Sequence, residues 1–176
     1  MKEFKMKLKL ACGPLLAICA VAASPAQAAS VDLADLKAYT SQGGWVDATR
    51  DLAVLGGNAW LEGSLGEVRS FEWKFDANDY LPHDDFAYLL LNGREITLLA
   101  SVGTVGNFGS SGWQTYAFRN PFSGTLQFGV RNGMDDEGPS LLSIRNVSVV
   151  PEPSSYALLM AGLVLVACLR RRPPRA

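Results

Sequence analysis

The chain has 176 residues, with 16 basic and 17 acidic side chains and a formal net charge of −1. That balance conceals a segregation: between Ala29 and Val150 fifteen acidic residues face eight basic ones, a net of −7, while the other basic residues crowd the two ends. So acidic a span is excluded as a partner for nucleic acid or anionic lipid, and its lack of cysteine excludes a disulfide-stapled scaffold.

The elements follow in chain order. Lys2, Lys5, Lys7 and Lys9 precede a mostly apolar run from Leu10 to Ala23. Ala26-Gln27-Ala28 then places small residues at the two positions a signal peptidase reads, so residues 1–28 are expected to be a signal peptide cut after Ala28. Cys12 and Cys19 fall inside it. The stretch from Ala29 to Val150 is long enough for one ordinary core. At its start, Asp32 can cap a short helix over Val31–Tyr39, with Leu33, Leu36 and Tyr39 on one side.

Beyond that helix the chain reads as mainly β, with short apolar runs punctuated by Gly and turn residues. Val68–Phe75 alternates, with Phe71, Trp73 and Phe75 on one face and Ser70, Glu72 and Lys74 on the other. Phe86–Leu91 is evenly apolar, as a strand covered on both faces would be. Asn92-Gly93 is a tight-hairpin signal, and Glu95–Ala100 is the returning strand. Trp113–Phe118 and Thr125–Val130 read as two further strands, the second with Leu126, Phe128 and Val130 on one side. In the last strand, Leu141–Val150, the apolar parity changes between Leu142/Ile144 and Val147/Val149. A bulge near Arg145-Asn146 would return both pairs to the core; the alternative is a strand buried on both faces. The expected architecture is an antiparallel, jelly-roll-like β-sandwich with a short N-terminal helix.

Asp76, Asn78, Asp79, Asp84 and Asp85 put five oxygen side chains within ten residues. Such a loop suits a structural Ca²⁺, which takes six to eight oxygens, some of them from backbone and water. The spacing is not that of an EF-hand, because Tyr80 and Leu81 occupy positions that need a ligand and a glycine. A plain acidic turn, with Asp79 or Asp84 bonding local backbone, is the competing reading. Asp135-Asp136-Glu137 reads as a second, solvated acidic turn.

The chain closes with Pro151-Glu152-Pro153, an apolar run from Tyr156 to Leu169, and Arg170-Arg171-Arg172. The prolines hold the strip extended, as a processing enzyme requires. The 14-residue run makes about 21 Å of helix against roughly 30 Å of hydrocarbon. The arginines stay on the cytoplasmic side, which puts the bulk of the chain outside the cytoplasm. In order, composition and position this tail resembles the PEP-CTERM sorting signal of exported proteins in Gram-negative, exopolysaccharide-producing bacteria. The resemblance implies a transmembrane helix over 155–169, transient contact with the inner membrane, and cleavage by an exosortase near the Pro-Glu-Pro.

A second resemblance covers the middle of the chain. The segment from Phe75 to Phe86, with Asp79-Tyr80-Leu81-Pro82 and Asp85-Phe86, is similar to a segment of secreted β domains that carry this tail. Asn107–Trp113 and Leu141–Val147 look like later parts of the same domain. There the closing strand often carries an Asp before the Asn, where this chain has Arg145. The resemblance implies a β-sandwich but no chemistry.

His83 is the single histidine, Gly109-Ser110-Ser111-Gly112 lacks the spacing of a nucleophile elbow, and a catalytic zinc needs several His or Cys ligands. No catalytic residues are therefore assigned. Paired carboxylates for glycoside hydrolysis remain available, although a domain of this size offers little depth for a substrate cleft. Trp113, after a Gly-Ser-Ser-Gly loop, is the best candidate for an exposed ring that stacks on sugar. The combined expectation is an exported, non-enzymatic envelope or extracellular-matrix protein. It is cut by signal peptidase, sorted by an exosortase and associated with exopolysaccharide or biofilm. The alternative is a calcium-stabilised glycan-binding module; a small hydrolase ranks third.

Overall fold

A computed structural model describes residues 29–135 and 137–150, together with 159–160, 162–164 and 166–167 of the tail. The chain is mainly antiparallel β: β1 (Ala29–Ser30), β2 (Lys37–Ala48), β3 (Leu52–Asp76), β4 (Phe86–Leu91), β5 (Glu95–Ser101), β6 (Gln114–Arg131) and β7 (Leu141–Val149), with a short helix, α1 (Val102–Val105), between β5 and β6. Strand pairing joins all seven into one sheet, ordered β1-β7-β3-β6-β4-β5, with β2 also on β3.

The length of β3 sets the architecture. Its first residues, Leu52–Gly56, pair with Arg145–Leu141, and its last, Glu72–Asp76, pair with the same five residues. One segment of β7 thus has β3 on both edges. The sheet must double back between Gly56 and Glu72, and the doubling encloses a single core. Phe71, Phe75, Phe128, Leu55, Leu61, Leu89, Leu126, Leu142 and Ile144 are all fully buried there. Phe71 lies at its centre, stacked on Tyr116 at 5.1 Å and edge-on to Phe128 at 4.9 Å.

Two expectations are corrected. The helix over Val31–Tyr39 is reduced to a 3-10 turn, Leu33–Asp35, capped as expected by the Asp32 carboxylate, which accepts from the Ala34 N–H at 3.0 Å. Leu36 is already extended, and Tyr39 belongs to β2, where it stacks on its cross-strand partner Trp60. Cross-strand aromatic stacking outweighs the weak helical periodicity of so short a segment. The two strands expected over 113–130 are one, β6. Asn120-Pro121 and Gly124 mark a bend in it rather than an end, opposite the two register shifts of β3 at Leu65–Val68 and Val68–Ser70.

Other expectations hold. Phe71, Trp73 and Phe75 are buried, and β4 is flanked by β5 and β6. Asn92 and Gly93 both take positive φ (51° and 65°), and the Arg94 N–H donates to Leu91 O; with Leu91 paired to Glu95, Asn92–Arg94 form a tight three-residue loop. The bulge in β7 falls where parity required it. Between the pairs Ser70–Ser148 and Glu72–Arg145 β7 uses one residue more than β3, Asn146 has φ 53°, and Leu142, Ile144 and Val147 are all buried.

Candidate functional site

The loop from Ala77 to Asp85 follows β3, and the loop from Asn132 to Ser140 follows β6. The two meet because β3 and β7 are neighbours in the sheet. Asp85 fastens them. It is fully buried, and its two carboxylate oxygens accept the Gly133 N–H at 2.8 Å and the Ser140 N–H at 3.1 Å. Asn78 adds a second tie, donating from Nδ2 to Pro139 O at 2.9 Å and from its backbone N–H to Ser140 Oγ at 3.2 Å. Gly133 is required here, since a Cβ would lie 2.8 Å from backbone atoms of Asp84. The loop before β6 joins the assembly through Phe108 N–H to Asp79 O and Leu81 N–H to Asn107 Oδ1.

The five oxygen residues expected to share a cation are dealt to different tasks. Asp76 pairs with Lys74 at 2.6 Å and accepts from the Ser110 hydroxyl at 2.6 Å. Asp84 accepts the Gly103 N–H at 2.8 Å, in the first turn of α1. Asp85 is saturated by the two loop amides, and the Asn78 amide is spent on Pro139. Among the five, Asp79 alone has a buried oxygen without a donor. Its Oδ1 accepts the Tyr80 N–H at 2.7 Å, while Oδ2 is buried without any donor.

The Asp79 carboxylate also belongs to a group that reaches outside the expected set. Asp79, His83 and Asp135 place one ligand atom each within 4.8 Å of the others, the one such group of three His, Cys, Asp or Glu among the described residues. His83 Nδ1 is 2.8 Å from Asp135 Oδ2 but is not aligned on it as a hydrogen bond. The imidazole is positioned by Tyr80, whose ring meets it edge-on at 5.3 Å and whose carbonyl accepts the His83 N–H. Reading along the chain grouped the acids by proximity in sequence and missed Asp135, which lies some fifty residues on. The signal that pointed to it was the second acidic turn.

Trp113 sits just before β6 and is 38% exposed. The Arg145 guanidinium lies 3.8 Å from its ring centroid, so one face is already covered. Arg145 Nε also donates to Glu72 Oε2 at 2.7 Å. Hydrogen bonds from Arg145 and then Asn146 hold the Glu72 carboxyl below the usual glutamate range. Asp76 is likewise lowered: burial pushes it up, but the Lys74 ammonium and Ser110 hydroxyl together outweigh that. The arginine that replaces an expected aspartate therefore has a structural occupation, bridging a strand pair and an indole. A separate cleft of about 530 Å³ beside the 3-10 turn is lined by Asp32, Asp35 and Glu62 among others, and contains none of the candidate residues.

The signal-cleavage residues Ala26 and Ala28, the strip Pro151-Glu152-Pro153 and the cluster Arg170-Arg171-Arg172 lie outside the described residues. In the tail, residues 159–160, 162–164 and 166–167 are helical, and Leu159, Leu163, Val164 and Val166 are exposed. Among the described residues no helix is long and apolar enough to cross a membrane.

A mainly antiparallel β domain followed by such a tail defines a class of exported cargo. Residues 149–172 match the PEP-CTERM protein-sorting motif, so the chain carries that sorting signal. The motif implies recognition by an exosortase and an envelope or extracellular destination. No curated protein matches the chain.

Proposed function

We propose that the processed protein is a non-enzymatic component of the cell envelope or extracellular matrix, associated with exopolysaccharide. In this reading signal peptidase removes residues 1–28 and exosortase cuts near Pro151-Glu152-Pro153, leaving the β domain, a jelly-roll-like module, as cargo. The observation that carries it is the sorting motif at 149–172 joined to a domain with a net charge of −7 and no cysteine. High net charge keeps a domain soluble, and the absence of thiols suits an oxidising compartment without requiring disulfide chemistry. The test is mass spectrometry of the chain recovered from producing cells, with and without the exosortase. Loss of the C-terminal segment that depends on the exosortase supports the reading. An inner-membrane chain with Arg170–Arg172 intact in both strains overturns it.

A second reading is supported by Trp113. An exposed indole with a guanidinium on one face leaves the other face for a sugar ring. A glycan array with the wild type and Trp113→Ala separates the two: binding lost in the variant makes the domain a lectin-like module, and no binding by the wild type leaves the matrix reading.

A further inference from the structure

We propose that Asp79, His83 and Asp135 bind one divalent transition-metal ion of the zinc class, which clamps the β3–β4 loop to the β6–β7 loop. The first observation is the cluster itself, with three ligand atoms within 4.8 Å. The second is independent of it. Asp79 is only 5% exposed, yet its Oδ2 has no donor. A buried carboxylate oxygen left without a partner is costly, and such atoms in a folded protein point to a bound ion or water.

The orientation of the donors favours an ion. In both carboxylates one oxygen is fixed by a nearby backbone amide: Asp79 Oδ1 by Tyr80 N–H at 2.7 Å, and Asp135 Oδ1 by Glu137 N–H at 3.3 Å. That leaves Asp79 Oδ2 as the oxygen without a donor, and Asp135 Oδ2 beside His83 Nδ1. Fixing the outer oxygen in this way is how secondary contacts orient metal ligands. His83 Nδ1 is 2.8 Å from Asp135 Oδ2 without hydrogen-bond alignment. With bonds of about 2.0–2.2 Å, donors at right angles on a five- or six-coordinate ion lie about 2.8–3.1 Å apart, a separation that water completing the shell allows here.

The donor set chooses the kind of ion. Two carboxylates and a neutral imidazole carry a charge of −2, which a divalent cation cancels. Calcium takes six to eight oxygens and gains little from a nitrogen ligand, whereas imidazole suits zinc and its neighbours. The His83 and Asp135 side chains are 27% and 35% exposed, so water can complete the coordination shell. The clamp would act where this chain has no disulfide to offer, tying together loops that Asp85 already holds by hydrogen bonds.

The experiment uses the exported, untagged protein stripped with chelator and titrated calorimetrically with Zn²⁺, Mn²⁺ and Ca²⁺, with thermal melting in parallel. One Zn²⁺ per chain is expected, with a rise in Tm reversed by chelator and no comparable response to Ca²⁺. Asp79→Asn and His83→Gln should each weaken Zn²⁺ binding by at least about tenfold. Metal-free melting of each variant checks that it folds. If a variant does not fold, Asp135→Asn, on the more exposed ligand, provides the same readout. Absence of Zn²⁺ binding overturns the proposal, as does a response to Ca²⁺ alone. Binding that survives any one of these substitutions at full strength overturns the three-donor set.

Discussion

Two carboxylates in one loop, Asp79 and Asp85, are about equally hidden from solvent and differ in every other respect. Asp85 has an amide donor for each oxygen, both from the loop after β6. Asp79 has a donor for one oxygen, from its own neighbour in the chain, and none for the other. A buried charge whose valences are all met is part of the frame, and removing it breaks the frame. A buried charge with one valence open is costly to folding, and that open valence is where the proposed ion would sit. On the proposed metal site, the pair separates a framing residue from a binding one within seven residues.

The largest test of that contrast is Asp85→Ala. It leaves the Gly133 and Ser140 amides without their acceptors, the second of them buried, and the expected loss in urea unfolding is about 3 kcal/mol, from charge-assisted bonds of roughly 1.5–3 kcal/mol each that are partly compensated by water. A loss below 1 kcal/mol would mean that the latch is ornamental. Gly133→Ala attacks the same junction from the other side. Its Cβ must displace backbone of Asp84, and a cost of about 2 kcal/mol is expected from such overpacking.

Asp79→Asn should behave in the opposite way. Without metal it removes a buried charge that has an unfilled acceptor, so stability should stay within about 1 kcal/mol of wild type or rise. A loss as large as that of Asp85→Ala would erase the distinction between the two residues.

The smallest effect is a control on the exposed pairs. Glu72 and Asp76 both have carboxyl pKa values lowered in the fold. A lowered folded-state value gives stability that is present above the unfolded pKa and lost as pH falls through the folded one. Wild type should therefore lose stability on acidification from about pH 4 downward, and Glu72→Gln with Asp76→Asn should flatten that part of the curve slightly. Salt should shrink the difference, because both pairs are solvent-accessible. A slope equally steep in the double variant would assign the acid sensitivity elsewhere.

Much of the β structure was readable along the chain. The faces of Val68–Phe75, the Asn92-Gly93 turn and the parity break at Arg145-Asn146 depend on neighbours two or three residues away, and each stands where pattern placed it. What pattern misjudged was continuity. Gly43-Gly44 and Gly56-Gly57 look like turn punctuation, yet they lie within β2 and β3, where Ser41 pairs with Asn58 and Trp45 with Gly56. The two extra residues in β2, Gln42 and Gly43 at positive φ, form a bulge that lets the ribbon bend without ending. Asn120-Pro121 does the same in β6. A breaker ends a strand unless a partner continues across it, and partners are not visible in one dimension.

The sorting tail needed no fold at all. The sorting motif at 149–172 is written in its prolines, apolar run and terminal charge, all legible without a fold. The acidity of the domain and its lack of thiols were equally fixed by composition. Which acids share a site was decided only by the doubling of the sheet, which brings Asp135 to Asp79 and His83 while sending Asp76, Asp84 and Asp85 to other partners. Coordination and hydrogen bonding act over a few ångströms of space, and only strand pairing converts fifty residues of separation into that distance.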